Sequence, residues 1–246
     1  MENRFDLHKK HLWDILKILY ESNFANILWF KWGTALYFFY GLPRYSVDLD
    51  FSLTRDLNTQ QLKNFKAELG EYLTDKLQDS KYTVKPDGTM THSIRYTIQY
   101  WWSKKIKLEI WSKMYDDNYE IKKILGLDML VMKIDYMMAH KLCAFVSRYK
   151  LNWSIANRDL FDIWFLLKHA YTPHEGTIRA RSKKMLGQEM TSKKYYAYLL
   201  DFLSKHKNAL HKNILNWLWD LMDPALKSWV KNSLVNELMV ELQLRM

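Results

Sequence analysis

Asp48 and Asp50 stand one residue apart in the run Gly41-Leu42-Pro43-Arg44-Tyr45-Ser46-Val47-Asp48-Leu49-Asp50-Phe51. Apolar Val47, Leu49 and Phe51 alternate with them, the pattern of a strand with one buried face. Side chains on a strand alternate with period two, so both carboxylates leave on one side. Two close like charges repel unless a cation balances them, an arrangement that suits Mg2+ and a phosphate-bearing substrate. With a strand over residues 45–53, Arg44 and Ser46 extend the same face. Arg44 is then placed to neutralise phosphate oxygens or to pair with Asp48. A pair of acids on a strand fits a solvated face or the cap of a following helix equally well.

Other residues bear on the same chemistry. About fifteen residues upstream, Gly33 and Thr34 follow the short apolar run 27–31 and lead into a helix over 35–40. Backbone N–H groups at a helix start point towards an anion, and glycine lets the anion come close. Downstream, Ile106, Leu108 and Ile110 alternate with Lys105, Lys107, Glu109 and Trp111. Glu109 thus offers a third carboxylate, as metal ligand or base; its alternative is a salt bridge to Lys105 or Lys107. Lys141 and Arg148 are seven apart on one helix, and Asp159 and Asp162 three apart on the next. These four make either a positioned cation for a triphosphate or a structural ion-pair network between helices, the simpler reading. His8 and His11 read as surface residues, and His140 points about 100° away from Lys141. Trp101-Trp102, Trp217 and Trp219 suit core packing or base stacking. Arg179, Arg181, Lys183 and Lys184 suit a solvated helix face or RNA phosphates.

The elements that must hold these residues are legible from periodicity. Leu12, Ile15, Leu16 and Leu19 mark a helix over 5–20, and Asn58 or Thr59 caps another through Leu77. Strands are expected over 81–85 and 93–101, with Pro86-Asp87-Gly88 between them, and over 104–112. Beyond about Asp128 the pattern becomes helical, with helices over 134–149 and 157–170, a break at Thr172-Pro173, and a last helix opened by Asp223-Pro224. The expected plan is α+β: a catalytic core over residues 1–127 with a mixed sheet flanked by helices, then a helical C-terminal half over 128–246.

The 246 residues are 48% hydrophobic, which excludes a disordered chain, and carry a formal net charge of +10. That balance favours polyanionic partners, nucleic acid first. A single cysteine, Cys143, excludes a disulfide framework and a multi-cysteine zinc site, and its apolar helix points to a buried, inert thiol. No apolar run reaches the ~18 residues of a membrane helix and no secretory leader opens the chain, so a cytoplasmic protein is expected.

Trp32-Gly33-Thr34-Ala35-Leu36 followed by Arg44-Tyr45-Ser46-Val47-Asp48-Leu49-Asp50-Phe51 resembles the opening signature of the AbiEii/AbiGii nucleotidyltransferase-like toxins, a Gly-Gly-Thr-Ala-Leu turn before an Arg-x-Ser-x-Asp-x-Asp strand. Lys141-Leu142-Cys143-Ala144 with Arg148, and Arg158-Asp159-Leu160-Phe161-Asp162, resemble the family's second half in the right order. The resemblance implies a polymerase-beta-like nucleotidyltransferase core. It implies Mg2+-dependent transfer of a nucleoside monophosphate from an NTP to an acceptor, RNA and tRNA in particular, by the toxin of a toxin–antitoxin or phage-defence system with a cognate antitoxin. Asp48 and Asp50 inherit the metal role, and Lys141 with Asp159 or Asp162 the remaining catalytic positions. Gly33, Thr34, Arg44 and Ser46 line the phosphates. One departure stands out: Trp32 replaces the first glycine of the turn. A catalytically degenerate RNA- or partner-binding module and a metal-dependent nuclease are the alternatives.

Overall fold

Alternation of apolar and polar residues divides the sheet into a buried face and a charged face, and the helices follow from that division. The structure, a computed structural model, describes residues 4–78, 82–87, 93–100, 104–113, 115–152, 157–213 and 221–246. Gly88, Trp101, Trp102, Trp217 and Trp219 lie outside the described residues. Contacts within the chain group into two units, one of residues 1–41 and 45–132, the other of residues 42–44 and 133–246.

The first unit holds a mixed sheet of β1 (Leu28–Lys31), β2 (Leu49–Leu53), β3 (Tyr82–Pro86), β4 (Ser93–Tyr100), β5 (Lys104–Trp111), β6 (Tyr119–Ile124) and β7 (Leu127–Met132). Their order is β3-β4-β5-β2-β1-β7-β6. The central strands β2 and β5 run parallel, as do β1 and β7, while β1 and β2 are antiparallel. One face is apolar: Phe30 lies opposite Phe51, Phe51 opposite Ile110, and Leu49 opposite Leu108, all buried. Helices α1 (Arg4–Tyr20) and α3 (Thr59–Leu77) contribute Leu12, Leu16, Leu69 and Leu73 to the same core. Tyr20 ties α1 to the sheet by donating its hydroxyl to the carbonyls of Leu28 (3.1 Å) and Leu130 (3.0 Å). Asn58 caps α3 as the sequence suggests, in a reciprocal capping box with Gln61.

Three local expectations are corrected. Helix α2 (Trp32–Tyr40) begins at Trp32, so Gly33 and Thr34 lie inside its first turn and not in a turn before it. Strand β2 begins at Leu49, so Arg44, Ser46 and Asp48 precede the ladder and share no strand face with Asp50 by pairing. The helical pattern expected beyond about Asp128 starts later, because Leu127–Met132 is a strand, and the β6–β7 hairpin that ends in it turns through Leu125 (φ 48°) and Gly126 (φ 83°). Such a turn needs positive φ at both central residues and normally announces itself as Asn-Gly; leucine in the first place hides it.

The second unit is helical: α4 (Ile134–Asn152), α5 (Asn157–Lys168), α6 (Glu175–Leu186), α7 (Ser192–Asn213) and α8 (Pro224–Gln243). Phe145, Phe161, Leu166, Leu199, Leu203 and Leu238 fill its core. Asp223 caps α8 through the Ala225 N–H (2.8 Å) with proline at the first helical position. Cys143 is buried, and burial pushes its thiol pKa up. Among the described residues no helix is long and apolar enough to cross a membrane.

Gly41 ends α2 at φ 72°, and its N–H bonds the Leu36 carbonyl. An added Cβ there would meet nothing within 4 Å, so only the left-handed backbone opposes a side chain. Gly41→Ala is therefore expected to lower stability by about 1–2 kcal/mol, read as a shifted denaturant midpoint at unchanged slope.

Candidate active site

In the first unit, the segment entering β2 is pinned from two directions. The Thr34 hydroxyl, on the first turn of α2, hydrogen-bonds to the Ser46 hydroxyl (2.7 Å) and to the Asp48 carbonyl oxygen. From α1, His8 donates Nε2–H to the Val47 carbonyl (3.1 Å) while its Nδ1 meets the Tyr100 hydroxyl. Burial pushes the His8 pKa down, against the Val47 carbonyl and Asp48 that pull it up, and a neutral ring suits this donor–acceptor arrangement. His8 and His11 are thus half-buried anchors and not surface residues; His11 bonds the Tyr82 hydroxyl. The carboxylate of Asp48 accepts the Lys107 backbone N–H (3.2 Å).

Register places Asp50 in a row across the sheet. Lys31 of β1 lies opposite Asp50, Asp50 opposite Glu109, and Glu109 opposite Arg95. Cross-strand partners share a face and approach closely. The row reads cation, carboxylate, carboxylate, cation. Glu109 forms a 2.7 Å ion pair with Arg95, a partner distant in sequence, and not the bridge to Lys105 or Lys107 expected as its alternative. Among the described residues no three His, Cys, Asp or Glu side chains converge as a metal cage. The oxygen donors Asp48 and Asp50 still fit Mg2+, which is commonly held by one or two carboxylates together with water and substrate phosphate.

Trp32 has φ 64°, a left-handed conformation that a bulky residue adopts only under constraint. Its ring lies with its centroid 4.0 Å from the Lys31 ammonium and 5.8 Å from the Trp111 ring. Sequence patterning gave no hint of Lys31 or Arg95 as neighbours of the carboxylates; only strand register reveals them.

In the second unit the simpler sequence reading holds in detail. Arg44 forks onto Asp162 through Nε (2.6 Å) and an η-nitrogen (2.7 Å). Lys141 Nζ reaches Asp162 (2.7 Å) and Asp159 (3.0 Å), and Arg148 also pairs with Asp159. Arg44, Lys141, Asp159 and Asp162 are all buried. Burial pushes the Asp162 carboxyl up, but the charges and hydrogen bonds of Arg44 and Lys141 outweigh it and hold it at about 2. The expected pairing of Arg44 with Asp48 is not seen; its guanidinium is committed to Asp162. His140 is buried beside Arg181, and Arg179 pairs with Glu175 (3.1 Å) and Glu189 (3.3 Å), so the basic cluster on α6 is engaged within the fold and is not simply a solvated face.

Mixed sheet, helical second unit and paired aspartates fit a nucleotidyltransferase, and comparison with known proteins gives the class and the family. A family model described as "Nucleotidyl transferase AbiEii toxin, Type IV TA system" matches residues 13–227. The chain belongs to this family and is a nucleotidyltransferase toxin. Solved structures share the fold. JHP933 from Helicobacter pylori is 22% identical at TM-score 0.61, covering 99% of this chain and 92% of that one. A putative nucleotidyltransferase from H. pylori is 22% identical at TM-score 0.58, covering 99% and 95%. MenT4, a nucleotidyltransferase toxin from Mycobacterium tuberculosis H37Rv, is 15% identical at TM-score 0.57, covering 97% and 84%. No curated protein matches the chain significantly. Family membership implies an NTP substrate and a cognate antitoxin.

The depressed Asp162 pKa fixes the sign of a pH effect. Its stabilisation is fully present above the unfolded value near 4 and is lost as pH falls towards 2, a contribution on the order of 2 kcal/mol. Asp162→Asn should remove that part of the acid dependence and destabilise at neutral pH by roughly 3–5 kcal/mol, because Arg44 and Lys141 stay buried with less counter-charge. Thermal midpoints of both proteins measured from pH 7 to pH 2 check this.

Proposed function

We propose that the chain transfers a nucleoside monophosphate from an NTP to a hydroxyl of RNA, with tRNA as the acceptor class, in a divalent-metal-dependent reaction. The observation that carries this reading is the Asp48–Asp50 pair at the entry of β2, anchored through Thr34 and His8 rather than left on a mobile face. Asp48 and Asp50 would hold Mg2+, which when bound supplies charge stabilisation at the reacting phosphate. Glu109, directly opposite Asp50 and paired with Arg95, would be the third carboxylate of the site, as a further metal ligand or as the base for the acceptor hydroxyl.

The acceptor hydroxyl attacks the α-phosphorus, the bond to the bridging oxygen breaks, and pyrophosphate leaves. Backbone N–H groups of Gly33 and Thr34, in the first turn of α2, suit phosphate oxygens. The Thr34 and Ser46 side chains, bonded to each other, shape that turn. Lys141 would keep the catalytic position that the family resemblance gives it; within the helical unit its ammonium is oriented by Asp159 and Asp162 while Arg44 and Arg148 hold those carboxylates. The net charge of +10 supports a polyanionic acceptor.

The test incubates the protein with each of four labelled NTPs, Mg2+ and total tRNA, alongside Asp50→Ala. Label should enter extended RNA with the wild type and fall roughly 100-fold or more with the variant. No transfer from any NTP by folded wild-type protein overturns the reading, and shortened RNA would instead indicate a nuclease.

A further inference from the structure

Lys31 is a buried cation with an unusual setting. Its ammonium lies 4.0 Å from the centroid of the Trp32 ring and 5.6 Å from that of Trp111, and Lys31 stands directly opposite Asp50 in the antiparallel register. Aromatic faces attract and orient an ammonium without cancelling its charge. Glu109 already has Arg95 at 2.7 Å, and the carboxylate directly across from Lys31 in the row is Asp50. Trp32 accepts a left-handed backbone at the position that puts its ring against Lys31.

We propose that Lys31 is a positioning residue that makes the carboxylate site selective for a metal–nucleotide complex over a bare divalent cation. This rests on the metal role given to Asp48 and Asp50 above. A free divalent cation approaching Asp50 meets a fixed positive charge and must share the carboxylate with it. A divalent cation carried by a nucleoside triphosphate arrives with net negative charge, and the same ammonium attracts it. Trp32 and Trp111 keep the lysine from swinging away. The site thus takes up metal together with nucleotide.

The experiment measures Mn2+ binding to the full chain by electron paramagnetic resonance of free Mn2+, with and without a non-hydrolysable NTP analogue. Lys31→Met and Lys31→Gln should bind bare Mn2+ about tenfold tighter than the wild type and the Mn2+–analogue complex more weakly. Lys31→Arg should restore wild-type behaviour, which a purely structural role for the lysine would not require. Adding Asp50→Asn to Lys31→Met should abolish the gain. The proposal is overturned if folded Lys31→Met and Lys31→Gln bind bare Mn2+ no tighter than wild type, if the gain survives Asp50→Asn, or if no protein in the series binds Mn2+. If labelled-NTP transfer fails while the Mn2+ pattern holds, the transferase reading falls and the Lys31 role stands. The reverse result removes the Lys31 role alone.

Discussion

Two carboxylates held side by side on neighbouring strands repel, and the polar face of the sheet is organised around that repulsion. Register sets Asp50 beside Glu109, and flanking strands set Lys31 and Arg95 outside them. The row cannot slip, because shifting a strand by one residue would turn Phe30, Phe51 or Ile110 out of the core. Apolar burial beneath therefore fixes electrostatics above. Thr34 and His8 complete the constraint by holding the backbone on either side of the Asp48 N–H, at Val47 and at Asp48 itself.

The second unit answers a different electrostatic problem. Asp159 and Asp162 lie in a desolvated core, where an uncompensated carboxylate would not remain ionised. Three cations, Arg44, Lys141 and Arg148, surround these two carboxylates, an excess of one positive charge. The network both anchors Lys141 and leaves the cluster suited to an anion. The structure shows the ion-pairing use of Lys141, Arg148, Asp159 and Asp162, and such pairing is compatible with a role in chemistry for Lys141.

Several helices were legible from periodicity and capping residues: α1, α3 and α8 start at or within a residue of where spacing and caps place them, whereas the apolar strand β7 was not foreseen. The Asp-x-Asp pattern and the upstream Gly33-Thr34 were legible as the family's signature. What escaped was pairing across the sheet. Nothing local in Lys31 or Arg95 marks them as neighbours of carboxylates that lie 19 and 14 positions away in the chain, and only the strand order β4-β5-β2-β1 brings them into one row. The hairpin turn at Leu125-Gly126 escaped because an exposed leucine occupies a position usually given to asparagine. Arg44 was misplaced because the strand was drawn too long; the real ladder starts at Leu49.

Residues 42–44 group with the helical unit although the chain on both sides of them groups with the sheet unit. The polypeptide therefore crosses between the units three times, at 41/42, 44/45 and 132/133, and not once. A cut at 132/133 would leave the helical piece with Asp162 stripped of its two-toothed arginine. The two halves are consequently not interchangeable modules. Gene fusion or shuffling at that junction would yield a helical fragment in which Asp162 keeps Lys141 but has lost its two-pronged partner.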